Sequence, residues 1–215
     1  MNRDFFFEFA GMPKSGKTTI CDAVVHFLKR EGYTVAEFHG GGRYAPIDKS
    51  ALSSLNVYLA IKAAEFILVN AERERSSFRI HIMDRGIFDR RIFTRALMDL
   101  GTLSAEEGSY LQTFLEMPVL QKHLDEIFLF VTHPELSLSR EYKNRLIESP
   151  GRVMNDPFLQ ALRKASLEER DYSLNRPLRI TLIDTGTDDG NIAGCAQTVL
   201  NAILRAVGGD HHGLA

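Results

Sequence analysis

A glycine-rich segment near the start of the chain has the residue types and spacing of a phosphate-binding loop. Residues 11–18 read GMPKSGKT and fit the pattern G-x-x-x-x-G-K-[ST], in which glycines let backbone N–H groups converge on phosphate oxygens. In this pattern the lysine supplies positive charge to the β- and γ-phosphates, and the final hydroxyl is placed to bind Mg²⁺. The segment therefore predicts a triphosphate site that consists of Gly11, Met12, Pro13, Lys14, Ser15, Gly16, Lys17, Thr18 and Thr19.

A carboxylate that could serve the same site is Asp84, which ends the strand-like segment RIHIMD. An acid at the end of a strand beside a phosphate loop can hold Mg²⁺ directly or through water. The alternative is an aspartate that only caps the following helix. We expect the first role, so Thr18 and Asp84 are the predicted metal ligands.

Cationic residues follow two of the predicted strands. The first group comes directly after Asp84 and contains Arg85, Arg90, Arg91 and Arg95; the second contains Arg140, Lys143 and Arg145. A run of this kind is usually a solvated helix face. Here, however, the strands end at the edge of the sheet where ligands of open α/β folds bind. We therefore expect a small lid at residues 138–155 that closes cations over the phosphates.

The sequence narrows the class of phosphate-loop protein. The [NT]-K-x-D tetrapeptide of GTPases and the L-S-G-G-Q signature of transporter ATPases are absent, and 215 residues are few for a ring-forming motor. A compact kinase remains, because phosphoryl transfer needs little beyond positioning and positive charge around the moving group.

Composition limits the partners that we expect. A formal net charge of −2 argues against a protein that binds long nucleic acid or an anionic membrane surface. Two cysteines are too few for a disulfide framework and suit a reducing cytoplasm. No stretch approaches the ~20 consecutive apolar residues that span a bilayer, so no membrane segment is predicted. A homodimer is left open.

Apolar runs that alternate with amphipathic stretches predict a parallel sheet flanked by helices. The strands are expected at residues 4–10, 33–39, 79–83, 126–132 and 178–184. Helices are expected at residues 17–31, about 50–75, about 87–100 and about 191–207, with another opened by a capping box of Ser104 and Glu107 and one that begins at Pro134. The predicted fold is a single α/β domain over residues 1–215, a three-layer α/β/α sandwich of phosphate-loop NTPase type with a five-stranded parallel sheet. Residues 208–215 are expected to be a disordered tail.

Several short motifs, in order along most of the chain, resemble those of the thymidylate kinase and deoxynucleoside kinase group. The stretch MDRGIFDRRIF at residues 83–93 is similar to the deoxynucleoside kinase segment that contains an acid, Arg-Ser and then Asp-Arg-Tyr-Ile-Phe. The stretches SLNVYLA at residues 54–60 and THPELSLSREYKNR at residues 132–145 resemble that group's base-reading helix and arginine-rich lid. The stretch EFHGGGRYAPI at residues 37–47 is similar to a thymidylate kinase loop.

The resemblance implies roles for individual residues. Arg85 would contact the reacting oxygen or phosphate of the acceptor, and the lid residues Arg140 and Arg145 would neutralise the transferred phosphoryl group. Lys14 would point at the γ-phosphate. Glu37 would act as the base toward a nucleoside 5′-hydroxyl, although a solvated strand residue is an equally simple interpretation. Asn56 and Asp89 would read the acceptor base.

Together these observations predict an enzyme that uses ATP and Mg²⁺ to phosphorylate a small acceptor, a nucleoside or a nucleoside monophosphate. A kinase for another acceptor, such as an antibiotic, a sugar or the 5′ end of RNA, remains an alternative. So does a module that senses ATP without transferring its phosphate, although such a module would need fewer of these charged residues.

Overall fold

The fold is built around a parallel sheet whose central strand leads into the glycine-rich loop. The structure, a computed structural model, describes residues 3–42, 45–73, 79–144, 153–174, 177–186 and 191–208. Within them the five strands are β1 (Phe5–Gly11), β2 (Val35–His39), β3 (Ile80–Asp84), β4 (Leu124–Val131) and β5 (Ile180–Asp184). They lie in the order β2-β3-β1-β4-β5 and every pair is parallel, so all carboxyl ends meet at one edge.

Helices cover both faces of this sheet. They are α1 (Lys17–Arg30), α2 (Leu52–Ala71), α3 (Ile87–Asp99), α4 (Ala105–Leu115), the single turn α5 (Pro118–Gln121), α6 (Pro134–Asn144), α7 (Asp156–Ser173) and α8 (Ile192–Gly208). The architecture is the predicted three-layer α/β/α sandwich.

The alternation of side chains along β1 divides the core into two halves. All seven β1 residues are buried, and odd-numbered Phe5, Phe7 and Phe9 pack into the cluster that contains apolar residues of α1 and α8. Even-numbered Phe6 and Ala10 pack into the cluster that contains apolar residues of α2, α3 and α7. Because successive strand residues point to opposite faces, Glu8 shares the second face and is directed toward α3.

All five predicted strands are confirmed, with ends that differ by at most two residues from the expected ones. The predicted helix 17–31 ends one residue early at Arg30, and the helix predicted to reach residue 75 ends at Ala71. The capping box is present at the start of α4, where Ser104 and Glu107 satisfy each other's backbone N–H groups. The sequence pattern therefore located these elements closely.

Helix α7 was not predicted, although its start has a readable signal. The side chain of Asn155 accepts a hydrogen bond from the backbone N–H of Phe158 at 3.0 Å, and Pro157 occupies the first turn. Both are standard features of a helix N-terminus. The apolar residues that follow, Phe158, Leu159 and Leu162, are buried.

One helix, α2, does not fit the expectation that no apolar segment is long enough to cross a membrane. Helix α2 is 20 residues long and contains an 18-residue window with a mean hydropathy of 1.5, so by length and composition it could cross a membrane. Only 33% of that segment is buried, and Val57, Ile61 and Val69 are exposed. No other helix among the described residues meets both conditions of length and apolarity.

The lid prediction falls partly, and the tail prediction largely, beyond the described part of the chain. Helix α6 supplies residues 138–144 of the predicted lid, whereas residues 145–152, including Arg145, lie outside the described residues. The predicted tail lies there too, apart from Gly208, which ends α8.

Candidate active site

The glycine-rich loop connects β1 to α1 and has the backbone shape that its glycines permit. Gly11 has φ +114°, and a Cβ at this position would lie 2.1 Å from the backbone oxygen of Phe130. Only glycine fits there, because β4 passes so close that the Met12 N–H donates to the same oxygen at 3.0 Å. Gly16 has φ +80° and directly precedes α1, which has no side-chain cap; the first N–H groups of such a helix favour an anion.

Lys17, Thr18 and Asp84 form a compact charged cluster at the end of the loop. Lys17 Nζ donates to Asp84 Oδ1 at 2.8 Å, and Thr18 Oγ1 donates to Asp84 Oδ2 at 2.9 Å. Burial lowers the pKa of Lys17, and the neighbouring Arg85 lowers it further, against the opposing effect of Asp84. Burial alone would raise the pKa of Asp84, but Lys17 and Arg85 lower it below its ordinary value. The strand-end acid predicted from the sequence therefore lies directly against the loop lysine.

Arg85 is held beside the loop by Asp89. Its Nη1 donates to both oxygens of Asp89, at 3.0 and 3.2 Å, and to the backbone oxygen of Gly11 at 3.3 Å. Asp89 is fully buried and also accepts the Gly11 N–H at 2.8 Å. Burial would raise the pKa of Asp89, but Arg85 and Arg90 lower it below its ordinary value. Arg85, the predicted acceptor contact, and Gly11, the first residue of the predicted ATP loop, thus share the carboxylate of Asp89.

The backbone at Arg85 is unusual for a residue with a side chain. Its φ of +71° lies in the left-handed region, which costs on the order of 1 kcal/mol or more for a non-glycine residue. The Arg85 N–H donates to Phe9 O at 2.9 Å, and the Gly40 N–H donates to Asp84 O at 2.7 Å. A Cβ on Gly40 would lie 1.8 Å from Arg85 O, so glycine is required where β2 ends. Neighbouring backbone on both sides therefore fixes this turn.

Asn56 lies in a buried polar network between α2 and α3. Its Nδ2 donates to Thr94 Oγ1 at 2.8 Å, and its Oδ1 accepts from Arg90 Nη1 at 3.4 Å. Arg90 also pairs with Asp89 and lies over the ring of Phe93, 4.4 Å from its centroid. The two predicted base readers, Asn56 and Asp89, are therefore connected through Arg90.

Glu8 is a buried acid next to the turn at Arg85 that was not predicted from the sequence to belong to the site. Its carboxylate accepts backbone N–H groups of Gly86, Phe88 and Asp89 at 2.7 to 3.0 Å. Burial raises the pKa of Glu8 to about 7, with a further raising effect from Asp89. A single acid in the otherwise apolar run FFFEFAG was the only sequence signal.

Helix α6 contacts the glycine-rich loop with one face. Ser137 Oγ donates to Pro13 O at 2.9 Å, Arg140 Nη1 donates to Lys14 O at 3.1 Å, and Glu141 Oε2 lies 2.7 Å from Lys14 Nζ. Because these positions are three and four residues apart, one helix face presents all of them. Lys14, expected to point at a γ-phosphate, is therefore paired with Glu141.

Comparison with known proteins shows the type of fold. No model of a protein family matches the chain, and no curated protein sequence matches it. Among solved structures, a deoxyadenosine kinase from M. mycoides with bound dATP matches at 15% identity and a TM-score of 0.66, covering 93% of this chain and 99% of that one. A thymidylate kinase from Candida albicans matches at 16% identity and a TM-score of 0.64, covering 94% and 91%. The chain has a nucleoside and nucleotide kinase-like fold.

In this kinase-like fold Glu37 lies on β2, two residues before the strand ends. Its carboxylate pairs with Lys29, and it lies 4.0 Å from His39 Nε2. About a quarter of its side chain is exposed, at 28%. Its side chain points to the α1 face of the sheet, because the next residue, Phe38, packs against the cluster of α2 and α3. Its role as a base stays a prediction.

The four arginines of the first cationic group pair with two different acids in this kinase-like fold. Arg85 and Arg90 share Asp89, whereas Arg91 and Arg95 form ion pairs with Glu169 of α7, at 2.5 and 2.7 Å. Arg91 is completely buried, so it stabilises the contact of α3 with α7 and is not available to a phosphate. Arg91 and Arg95 are therefore engaged with α7, whereas Arg85 and Arg90 lie beside the glycine-rich loop through Asp89.

The donor set at the loop suits a hard cation. Asp84 contributes carboxylate oxygens and Thr18 a hydroxyl, and magnesium sites in proteins typically combine one or two such ligands with substrate phosphates and water. Within the described ranges there is no group of three or more His, Cys, Asp or Glu side chains that could hold a metal ion. The residues present therefore fit Mg²⁺ bound together with a nucleotide better than a metal held by protein alone.

Proposed function

We propose that the protein is a kinase that uses ATP and Mg²⁺ to phosphorylate a nucleoside or a nucleoside monophosphate. The observation that carries the proposal is that one carboxylate, that of Asp89, contacts both Gly11 and Arg85. It accepts the N–H of Gly11 in the glycine-rich loop and pairs with Arg85. The proposed donor loop and the proposed acceptor cation therefore both contact one carboxylate. Similarity in fold to a deoxyadenosine kinase and a thymidylate kinase supports the same class of acceptor.

On the donor side, residues 11–19 would hold the triphosphate of ATP. Backbone N–H groups of the loop and the start of α1 would contact phosphate oxygens, and Lys17 would leave Asp84 to bind the β- and γ-phosphates. Thr18 and Asp84 would hold Mg²⁺, which would neutralise negative charge on the phosphates when bound. Arg140, already anchored on Lys14 O and Thr185 O, would add charge from α6. We keep Arg145 in the same role, as a prediction from the sequence.

On the acceptor side, Arg85 would orient the reacting group toward the γ-phosphate. Asn56 and Asp89 are the proposed contacts to the base, and Glu37 the proposed base toward a 5′-hydroxyl. Asn56 and Asp89 are engaged with Thr94, Arg90 and Arg85, so an acceptor would bind by adding to that network. Closure of a lid at residues 138–155 would exclude water and limit ATP hydrolysis.

The remaining expectations are part of the same proposal. The partner would be a small molecule and not a long nucleic acid or a membrane, and a homodimer stays open. Both cysteines, Cys21 and Cys195, are free, which suits the reducing cytoplasm.

Transfer of labelled γ-phosphate tests the proposal directly. The protein would be incubated with ATP, Mg²⁺ and one candidate acceptor at a time from three groups: deoxynucleosides, their monophosphates and short RNA with a free 5′-hydroxyl. We expect label on a nucleoside or monophosphate, lost in Lys17→Ala. Transfer only to RNA, or ATP binding without transfer to any acceptor, would contradict the proposal.

A further inference from the structure

We propose that Glu8 is a positioning residue that sets Arg85 and Asp89 in place for the acceptor. The proposal rests on the kinase function proposed above, because Arg85 and Asp89 are its acceptor-side residues. Glu8 lies in the middle of β1 with no exposed surface, three residues before the glycine-rich loop begins. An acid is expensive to bury in such an apolar strand unless its oxygens are satisfied.

The oxygens of Glu8 are satisfied by the start of α3. Oε1 accepts from Gly86 N at 2.9 Å and from Asp89 N at 2.7 Å, and Oε2 accepts from Phe88 N at 3.0 Å. The first N–H groups of a helix have no partner within it, and a side chain just before the helix usually supplies one. Gly86 precedes α3 and has no side chain to do so. Glu8, which lies on the neighbouring strand β1, therefore caps the N-terminus of α3 in place of a local side chain.

The carboxylate fills the space that a side chain at Gly86 would need. A Cβ at Gly86 would lie 2.6 Å from Glu8 Oε2 and 2.9 Å from the terminal methyl of Met83. The acid is thus packed against the turn that carries Arg85, whose φ of +71° needs support from its surroundings. Glu8 provides that support at the residue directly after Arg85.

The same contact extends to the donor loop through Asp89. Glu8 Oε1 holds the Asp89 N–H, and the Asp89 side chain in turn accepts the Gly11 N–H at 2.8 Å and binds Arg85. Strand β1 therefore holds the start of α3 at two points, Glu8 and Gly11. Movement at the Glu8 end would shift Arg85 relative to the loop, and a displacement of about 1 Å can cost roughly 100-fold in rate.

Two charged groups of α3 interact with Glu8. Asp89 opposes ionisation of Glu8, and Arg90 interacts favourably with its carboxylate. The neighbouring Met83 and Phe88 are apolar and buried. Within the described residues, the charged form of Glu8 is thus stabilised chiefly by the three N–H donors and by the positive end of the α3 dipole.

Steady-state kinetics of Glu8→Ala and Glu8→Gln test the role, with Glu126→Gln as the matched control. Glu126 is also a buried strand glutamate, but it accepts from Thr181 on β5 and lines a cavity with Ala202 and Arg205 of α8. We expect Glu8→Ala to lower kcat/KM for deoxynucleosides or their monophosphates roughly 100-fold, with little change in the KM for ATP. Glu8→Gln, which keeps one acceptor oxygen, should fall between this variant and the wild type, and Glu126→Gln should match the wild type. Equal losses toward ATP and the acceptor, or no loss, would overturn the proposal.

A second measurement does not depend on activity. Nuclear magnetic resonance would follow the Gly11 amide and the Arg85 Nε–H in wild type, Glu8→Gln and Glu126→Gln. We expect both resonances to move in Glu8→Gln only, because the effect passes through Asp89. If the wild type phosphorylates no nucleoside or monophosphate, the proposed function fails, while the resonances still decide the role of Glu8. Unmoved Gly11 and Arg85 signals in a folded Glu8→Gln protein would refute that role.

Discussion

The N–H of Gly11 donates to the carboxylate of Asp89 at 2.8 Å, which joins the first residue of the glycine-rich loop to the first turn of α3. The two residues are 78 positions apart in the chain. The same carboxylate is the counter-charge of both Arg85 and Arg90. One buried acid thus organises the two halves of the candidate active site.

Replacement of Asp89 by Asn should destabilise the protein strongly. The amide can still accept from Gly11, but two guanidinium groups, those of Arg85 and Arg90, lose their buried counter-charge. Breaking a buried ion pair in this way costs about 3–5 kcal/mol of unfolding free energy, measurable by denaturant titration. Asp99→Asn is the control, since Asp99 ends the same helix in an exposed pair with Lys164. Similar stability of both variants would show that the Asp89 charge is not needed.

Replacement of Lys17 by Ala should abolish most of the phosphoryl transfer while the fold persists. The lysine is the cation proposed to bind the β- and γ-phosphates, and loss of one such electrostatic contact typically costs about 100-fold to 1,000-fold in turnover. Lys62→Ala, on α2 and paired with Glu65 one turn away, controls for the loss of a lysine elsewhere. The rate of label transfer and the circular dichroism spectrum are the measurements. Wild-type turnover in Lys17→Ala would remove the loop from the mechanism.

Replacement of Arg140 by Ala should lower kcat more than it weakens ATP binding. Arg140 donates to Lys14 O and Thr185 O, so its guanidinium lies against the loop and can act on charge that develops during transfer. The comparison of kcat with the dissociation constant of ATP measures the effect. Arg170→Ala, at a partly buried arginine of α7 that pairs with Asp171, is the control. A variant that lost only ATP affinity would assign Arg140 to ground-state binding.

Replacement of Glu141 by Gln should strengthen nucleotide binding. The carboxylate of Glu141 pairs with Lys14 at 2.7 Å, and a triphosphate must compete with it for that lysine. Because the pair is partly exposed, we expect a gain of only a few-fold, which decreases as salt is added. Fluorescence titration with a labelled ATP analogue measures it, with Glu135→Gln on the same helix as the control. Weaker binding would mean that Glu141 holds Lys14 in its working position.

The features that the sequence predicted well are those that depend on local patterns. The loop at residues 11–18 is specified by its own glycines, and each strand by a short apolar run that ends near a turn. Long-range partners carry no such local signal. The contact of Glu8 with Phe88 spans 80 positions, and the sequence showed only an acid in an apolar strand.

The arginines of α3 show the same limit. In the sequence Arg90 and Arg91 are adjacent and carry the same positive charge, but successive side chains of a helix point about 100° apart. Arg90 consequently shares Asp89 with Arg85, and Arg91 pairs with Glu169 on α7, a helix that was not predicted. Without α7 there was no basis for separating structural arginines from those available to a ligand.

The burial of Glu8 should make stability depend on pH near neutrality. Its pKa is raised from the model-peptide value of 4.5 to about 7 by burial, so the folded protein holds this proton more tightly than the unfolded chain. The stabilising effect of that proton is complete below pH 4.5 and is lost as the pH rises through about 7. Each unit of raised pKa corresponds to about 1.4 kcal/mol. The unfolding free energy of the wild type should therefore fall relative to Glu8→Gln between about pH 5 and pH 8, whereas Glu126→Gln should follow the wild type. Denaturant titrations at several pH values measure both differences, and a constant difference between wild type and Glu8→Gln would show that Glu8 ionises as it does in water.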